Sequence, residues 1–178
     1  MEIKHRFSQT TLCSFEVETI CECLESAVKD KVNLRGANLY GANLHEADLR
    51  GANLDGADLR RANLYGANLY GANLRGANLR RANLYEANLH GANLYGANLH
   101  EADLDGEILK QIPLTVANLH YWCLISDNYM RLGCKRFTHE EWANFTDEEI
   151  QAMDTQALEF WKRWKAPLLA MCAAHKGA

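Results

Sequence analysis

The sequence predicts a repeat solenoid carried between two non-repetitive flanks, and three observations carry that expectation. From Val32-Asn33-Leu34 to Ala102-Asp103-Leu104 the unit Ala-(Asn/Asp)-Leu-x-x recurs fifteen times without interruption. A period this strict marks an architecture whose units contact their neighbours and cannot bury an apolar face alone. Variation is confined to the two letters after each Leu, the second of which is mostly Gly. Finally, all six cysteines, Cys13, Cys21, Cys23, Cys123, Cys134 and Cys172, lie outside the repeats. The expected organisation is an amino-terminal cap over 1–32, a solenoid over 33–119 and a carboxy-terminal segment over 120–178.

Ala37-Asn38-Leu39-Tyr40-Gly41, Ala52-Asn53-Leu54-Asp55-Gly56 and Ala72-Asn73-Leu74-Arg75-Gly76 are similar to the units of the pentapeptide-repeat family. The resemblance covers about the middle two-fifths of the chain. It implies that each Leu and the residue two before it point inward, that four pentapeptides make one square coil, and that coils stack. The fold class so implied is mainly β: a right-handed quadrilateral parallel β-helix of about four coils, with an α/β amino-terminal cap and a hairpin-plus-helices carboxy-terminal cap. Layers then lie about 4.8 Å apart, the ordinary strand spacing. The family motif specifies a fold and leaves function open.

The 178 residues suffice for one domain or a capped solenoid, and the net charge of −4 rules out a strongly polyanion-binding balance. Between Asn33 and Glu107 seven Arg stand against nine acids, so imitation of duplex DNA by negative charge over the whole length is not expected. Met1 to Arg6 lacks the apolar core of a secretory signal, which favours reduced thiols and a cytoplasmic setting. No run reaches the length of a membrane span.

In the amino-terminal flank, Ile3–Phe7 and Leu12–Val17 read as strands joined around Ser8-Gln9-Thr10. Thr19 then caps a helix with Ile20, Leu24, Ala27 and Val28 on its apolar face, expected to cover the first coil. Cys21 and Cys23 point in different directions on such a helix and read as small cap residues, not metal ligands.

Outward positions twenty apart share a face, which sorts the residues after Leu into four sets. The first holds Arg35, Asp55, Arg75 and Tyr95; the second Tyr40, Arg60, Arg80 and His100; the third His45, Tyr65, Tyr85 and Asp105; the fourth Arg50, Tyr70, His90 and Lys110. The non-Gly letters at the next position add Arg61, Arg81 and Glu101 to the second face, and Glu46 and Glu86 to the third. Arg60, Arg61, Arg80 and Arg81, flanked by Tyr40 and His100, form the expected partner-binding set, since guanidinium groups bind phosphate or carboxylate in bidentate fashion. Duplication accounts for the same letters, because Leu59 to Tyr65 recurs identically at 79–85. Asp58 stands near enough to soften the repulsion. The Tyr65–Tyr85 pair reads as a stabilising stack.

After Gly106 the period decays through Glu107-Ile108-Leu109-Lys110-Gln111, and Pro113 to Leu119 resembles a worn last coil. Strands are expected at Tyr121–Ile125 and Tyr129–Phe137 around Ser126-Asp127-Asn128, then capping boxes at Thr138 and Thr146. Trp161, Trp164, Leu168, Leu169 and Met171 on the last helix are the expected homodimer interface, with Pro167 kinking or restarting that helix. Cys123, Cys134 and His139, and the pair Cys172 and His175, are the candidate metal-ligand groups; no C-x-x-C or H-E-x-x-H motif supports a site, so metal ligands and cofactors are expected to be none. Nothing resembles a nucleophile elbow, a phosphate loop or a paired-carboxylate site.

Trp122 to Asp127, Met130 to Cys134 and His139 to Trp142 are similar to the tails of uncharacterised bacteriophage and prophage members of the family. The expected function is therefore a non-enzymatic, rigid interaction surface. It would act as a phage or prophage modulator of a host protein that works on nucleic acid, a topoisomerase or a defence nuclease. The alternatives are direct nucleic-acid or nucleotide binding on the arginine face, and a metal-dependent activity in the tail.

Overall fold

The structure is a computed structural model and describes residues 1–110, 113–116 and 119–176. The chain divides into two compact units, Met1–Ile112 and Pro113–Ala178. Gln111 of the decaying run, and Ala117 and Asn118 of the expected worn coil, lie outside the described residues.

The first unit begins with an antiparallel pair, β1 (Glu2–Lys4) and β2 (Thr11–Ser14), followed by helix α1 (Ile20–Lys29). Both strands are shorter than the sequence pattern suggests. β1 ends at Lys4, and His5, whose N–H donates to Thr10 O at 2.8 Å, also bridges Ala37 of the first coil. In α1, the Thr19 hydroxyl accepts from the Glu22 N–H at 3.1 Å and the Glu22 carboxylate accepts from the Thr19 N–H at 3.3 Å, a complete capping box. Cys23 joins Leu24 and Ala27 on the buried face, whereas Ile20 and Val28 are half-buried.

In the repeats, the inward Leu and Ala side chains are buried from Leu34 to Leu104, all but Ala42, which is half-buried. Parallel bridges join residues twenty apart, from Asn38↔Asp58 through Asn83↔Asp103, so four pentapeptides complete one turn of a parallel β-helix. The unit Ala62–Gly66 explains the letters, because each of its N–H groups finds an acceptor. Ala62 donates to Leu59 O at 3.0 Å within the corner, Asn63 to Ala42 O at 2.9 Å on the coil before, and Leu64 to Asn83 O at 2.8 Å on the coil after. Gly66 donates to Tyr85 O at 2.9 Å. The remaining N–H, of Tyr65, donates to the Asn63 side-chain oxygen at 3.2 Å. Asn or Asp is needed because its side chain answers an N–H that no neighbouring coil reaches. Asn side chains also chain together along the stack, Asn83 Nδ2 to Asn63 Oδ1 at 3.3 Å and Asn63 Nδ2 to Asn43 Oδ1 at 3.2 Å.

At the start of the stack other groups supply the acceptors that a preceding coil would have supplied. Asn38 N–H donates to Lys4 O at 2.7 Å, and Asp48 N–H donates to the Glu25 carboxylate of α1 at 2.8 Å. At the other end the chain folds back as the hairpin β3 (Asp103–Leu104) and β4 (Glu107–Ile108), with Glu101 N–H donating to Leu109 O at 2.8 Å. The reversal takes Lys110 out of the twenty-residue rule that placed it on the fourth face.

The second unit holds a four-stranded antiparallel sheet, β5 (Leu114–Val116), β6 (Cys123–Ile125), β7 (Tyr129–Leu132) and β8 (Lys135–Thr138), in sequential order. Two expectations change here. Leu114–Val116, expected in a worn coil, pairs with β6, and the expected strand Tyr129–Phe137 is two strands that turn at Gly133, whose φ is +57°. Helices α2 (His139–Asn144) and α3 (Asp147–Met153) carry the capping boxes expected at Thr138 and Thr146. Helix α4 (Ala157–Lys176) runs without a restart through Pro167. Cys123, Ile125, Met130, Trp142, Ile150, Trp161, Leu168 and Cys172 form one buried core, in which Trp142 Nε1 donates to Met130 O at 2.6 Å. No helix of the described residues is long and apolar enough to cross a membrane.

Leu64 is fully buried. Replacing it with Lys is expected to abolish cooperative unfolding of the repeats, while Leu64→Ala lowers stability by about 2–5 kcal/mol in urea denaturation. Gly36 and Gly41 have φ of +68° and +65°, but only at Gly36 would a Cβ fall 2.4 Å from the His5 ring. Gly36→Ala is therefore expected to lower the melting temperature more than Gly41→Ala.

Candidate functional site

The outward chemistry sits at the two positions after each Leu, and the second of them has a positive φ throughout. Gly occupies it at every unit of the first face (Gly36, Gly56, Gly76, Gly96) and of the fourth (Gly51, Gly71, Gly91). Side chains enter this conformation only on the second face, at Arg61, Arg81 and Glu101, and on the third, at Glu46 and Glu86, with φ between 57° and 61°. A left-handed residue with a Cβ costs roughly 1–2 kcal/mol, so these five charged residues are held where Gly fits better.

On the second face the four expected arginines come together along two successive coils. Asp58 takes the place of Asn in the ladder and, having no N–H to pass on, accepts Arg60 Nε at 2.8 Å and Nη2 at 2.6 Å. These hydrogen bonds hold the Asp58 carboxyl below the usual carboxylate range. The Arg60 guanidinium also lies over the Tyr40 ring, 5.3 Å from its centroid. Glu101 accepts from Arg81 Nε and lies 3.4 Å from Arg80, with His100 at 3.8 Å. Arg61 has no side-chain partner among the described residues. All six residues expected to bind a partner are thus on one face, half-exposed or more, and two acids already engage three of the arginines.

Asp48 and Arg50 repeat the same fork at 2.7 and 2.6 Å. The signal was readable as Asp-Leu-Arg: both Asp-Leu-Arg triplets form the fork, and none of the Asn-Leu-Arg triplets ending at Arg35, Arg75 and Arg80 does. The third face carries a stack of rings, His45 on Tyr65 at 5.0 Å and Tyr65 on Tyr85 at 5.6 Å, all near parallel. Glu86 hydrogen-bonds the Tyr65 hydroxyl and holds its pKa above the usual phenol value. On the fourth face Tyr70 stacks on His90 at 5.3 Å.

The tail residues are placed differently from their expected roles. Trp161 and Leu168 are 2% and 0% exposed inside the core of their own unit, with Trp164 and Leu169 packed against it, and of the five only Met171 is exposed. The apolar stripe of α4 is thus largely taken up by α3, α2 and β6. Cys123 pairs with Leu132 and not with Cys134, which lies exposed at the β7–β8 turn. Burial, with Cys172 nearby, pushes the Cys123 thiol up to about 12, and burial pushes Cys172 up to about 11, so both stay protonated near neutral pH. No cluster of three or more His, Cys, Asp or Glu able to hold a metal occurs among the described residues. A cavity of about 100 Å³ beside Tyr121, Trp142, Ile150 and Phe160 is well short of the ~300 Å³ of usual small-molecule sites.

Because the folded pKa of Asp58 is depressed, its pairing with Arg60 stabilises the fold above the ordinary carboxylate pKa and is lost as pH falls through the folded value. The difference in melting temperature between the wild type and Asp58→Asn is therefore expected to narrow as pH drops from about 6 to about 2. A difference that stays constant across that range would remove the pair from the stability of the coil.

The family model for pentapeptide repeats matches in eight copies, with residues 30–66, 42–81, 62–100 and 72–111 covered. Rfr23, a pentapeptide repeat protein from the cyanobacterium Cyanothece 51142, is 42% identical over 38% of this chain and 53% of its own, with a TM-score of 0.34. HetL, a pentapeptide repeat protein involved in heterocyst differentiation regulation in Nostoc sp. PCC 7120, is 42% identical over 40% of each chain, with a TM-score of 0.25. The protein alr5209, also from Nostoc PCC 7120, is 36% identical over 51% of this chain and 84% of its own, with a TM-score of 0.25. The chain spans about half the length of Rfr23 and less of HetL. No curated protein matches it. With the uninterrupted Ala-(Asn/Asp)-Leu periodicity, the eight-copy family match places the chain in the pentapeptide-repeat family, whose members form right-handed β-helices and commonly serve as protein-interaction scaffolds.

Proposed function

We propose that this protein is a non-enzymatic interaction scaffold whose repeats hold a fixed surface for a protein partner. One observation carries the reading: within an interior unit such as Ala62–Gly66 every backbone N–H has its acceptor inside the stack, so the outward side chains sit on a frame that is already ordered. A preformed surface loses little conformational entropy on association, which favours binding without any catalytic group. In this reading the coils are quadrilateral, and β1, β2 and α1 serve as the cap of the first coil.

Arg60, Arg61, Arg80 and Arg81, with Tyr40 and His100, are the residues assigned to the partner. Of these, Arg61 has the least to lose, since its guanidinium has no acceptor to give up. The resemblance of the tail to phage and prophage relatives supports a modulator of a host protein that acts on nucleic acid, such as a topoisomerase or a defence nuclease. With Asp58 and Glu101 engaging three of the arginines, a protein surface with a few well-placed carboxylates suits this face better than the continuous charge of a nucleic acid.

Affinity capture of the intact chain from a bacterial lysate, with and without nuclease, tests the proposal. A retained protein that survives nuclease treatment is expected, and its affinity should fall when Arg60, Arg61, Arg80 and Arg81 are replaced by Ser. Retention of nucleic acid alone, or of a protein only through nucleic acid, would overturn it.

A further inference from the structure

The charged faces of the solenoid are complementary to one another, and they are adjacent. On the second face four arginines stand against Asp58 and Glu101, a surplus of positive charge. On the third face Glu46, Glu86, Asp103 and Asp105 are all acidic, and no Lys or Arg accompanies them there. The fourth face is balanced, its Arg50 2.6 Å from Asp48, and the first has a surplus of one, Arg35 lying 3.6 Å from Asp55 and Arg75 over the Tyr95 ring. Within the coils the charges that stand at positive φ, where Gly fits best, are on the second and third faces: Arg61, Arg81 and Glu101 on one, Glu46, Glu86 and Asp105 on the other.

From this arrangement we infer that the solenoid associates with a second copy of itself, the second face of one copy docking on the third face of the next. Both faces have the same twenty-residue ladder spacing, because both are built on the same stack of coils. Arginines one coil apart on one copy therefore meet rings that repeat at the same interval on the other, His45, Tyr65 and Tyr85, and the carboxylates of Glu46 and Glu86, which stand two coils apart beside them. The rings add to the fit: His45 and Tyr85 at the ends of the stack present π-faces to guanidinium groups, and the tyrosine hydroxyl oxygens along it are acceptors. Since the two faces are adjacent sides of one coil and not a single self-complementary patch, the contact is head-to-tail. Each copy keeps one unsatisfied face, and association continues into a ring or a filament. This assembly uses the same arginine face that the host-partner reading assigns, so the two occupants compete for it; a protein that self-associates without capturing any host component would satisfy this inference and not that reading.

Light scattering on the full chain across a concentration series tests the inference. At about 50 mM salt the mean mass is expected to rise with concentration from monomer through dimer to larger species, and at about 500 mM salt to return towards monomer. Two charge-reversal variants separate this contact from any other: Arg61→Glu with Arg80→Glu, and Glu46→Lys with Glu86→Lys, each checked for folding by circular dichroism. Either alone is expected to weaken association at least about tenfold, because like charges then face each other. Mixing the two variants in equal amounts is expected to restore it, since each retains one native face and acquires a charge opposite to the other's altered one. A monomer at every concentration in low salt would overturn the inference. So would association that is insensitive to salt and survives in both variants, as an apolar contact through the tail would be.

Discussion

Everything in the repeat unit follows from one hydrogen-bonding constraint. Each five-residue side must reach the coil below and the coil above with its backbone while turning a corner within the same five residues. Asn63 N–H bonds down to Ala42 and Leu64 N–H bonds up to Asn83, so two successive residues are committed to opposite neighbours. That leaves the next N–H stranded at the corner, and the Asn or Asp side chain answers it. The interior is narrow enough that Leu fills it and Ala fits beside it, which is why almost all of these side chains are buried. Register, corner geometry and core composition are thus a single solution, and changing one letter of the first three disturbs all of them.

The same constraint governs the surface. A carboxylate in the Asn ladder cannot donate to its neighbour, so Asp48 and Asp58 use both oxygens on the arginine two residues later. What looked like four crowded arginines is in the structure a partly neutralised group, with Asp58 and Glu101 built into it. Stacked rings at 5.0 and 5.6 Å arise for the same reason, because identical positions on successive coils are held near the strand spacing.

The flanks follow different physics and were read with less accuracy. Helix α1 and the boxes at Thr138 and Thr146 came out as expected, since capping depends on residues three apart. Strand ends did not, because they depend on what lies alongside: His5 bridges Ala37 of the first coil, and Leu114–Val116 joins β6. The apolar stripe on α4 was legible as apolar. Its destination was not, because a helix sequence states which residues avoid water and not whether the chain itself supplies the cover. Trp161 and Leu168 are covered by the core of their own unit.

By itself, the sequence determined the coil: its period, its Leu and Ala interior, the membership of each outward face and the charged exceptions among the glycines. These are properties of a strictly local repeat, in which position modulo twenty decides neighbours. Only the tertiary structure decided which charges were already spoken for, how the first coil obtains its missing acceptors from Lys4 and Glu25, and where the ladder ends at the β3–β4 hairpin. Those outcomes depend on side-chain reach and on contacts between segments remote in sequence, and no periodicity encodes them.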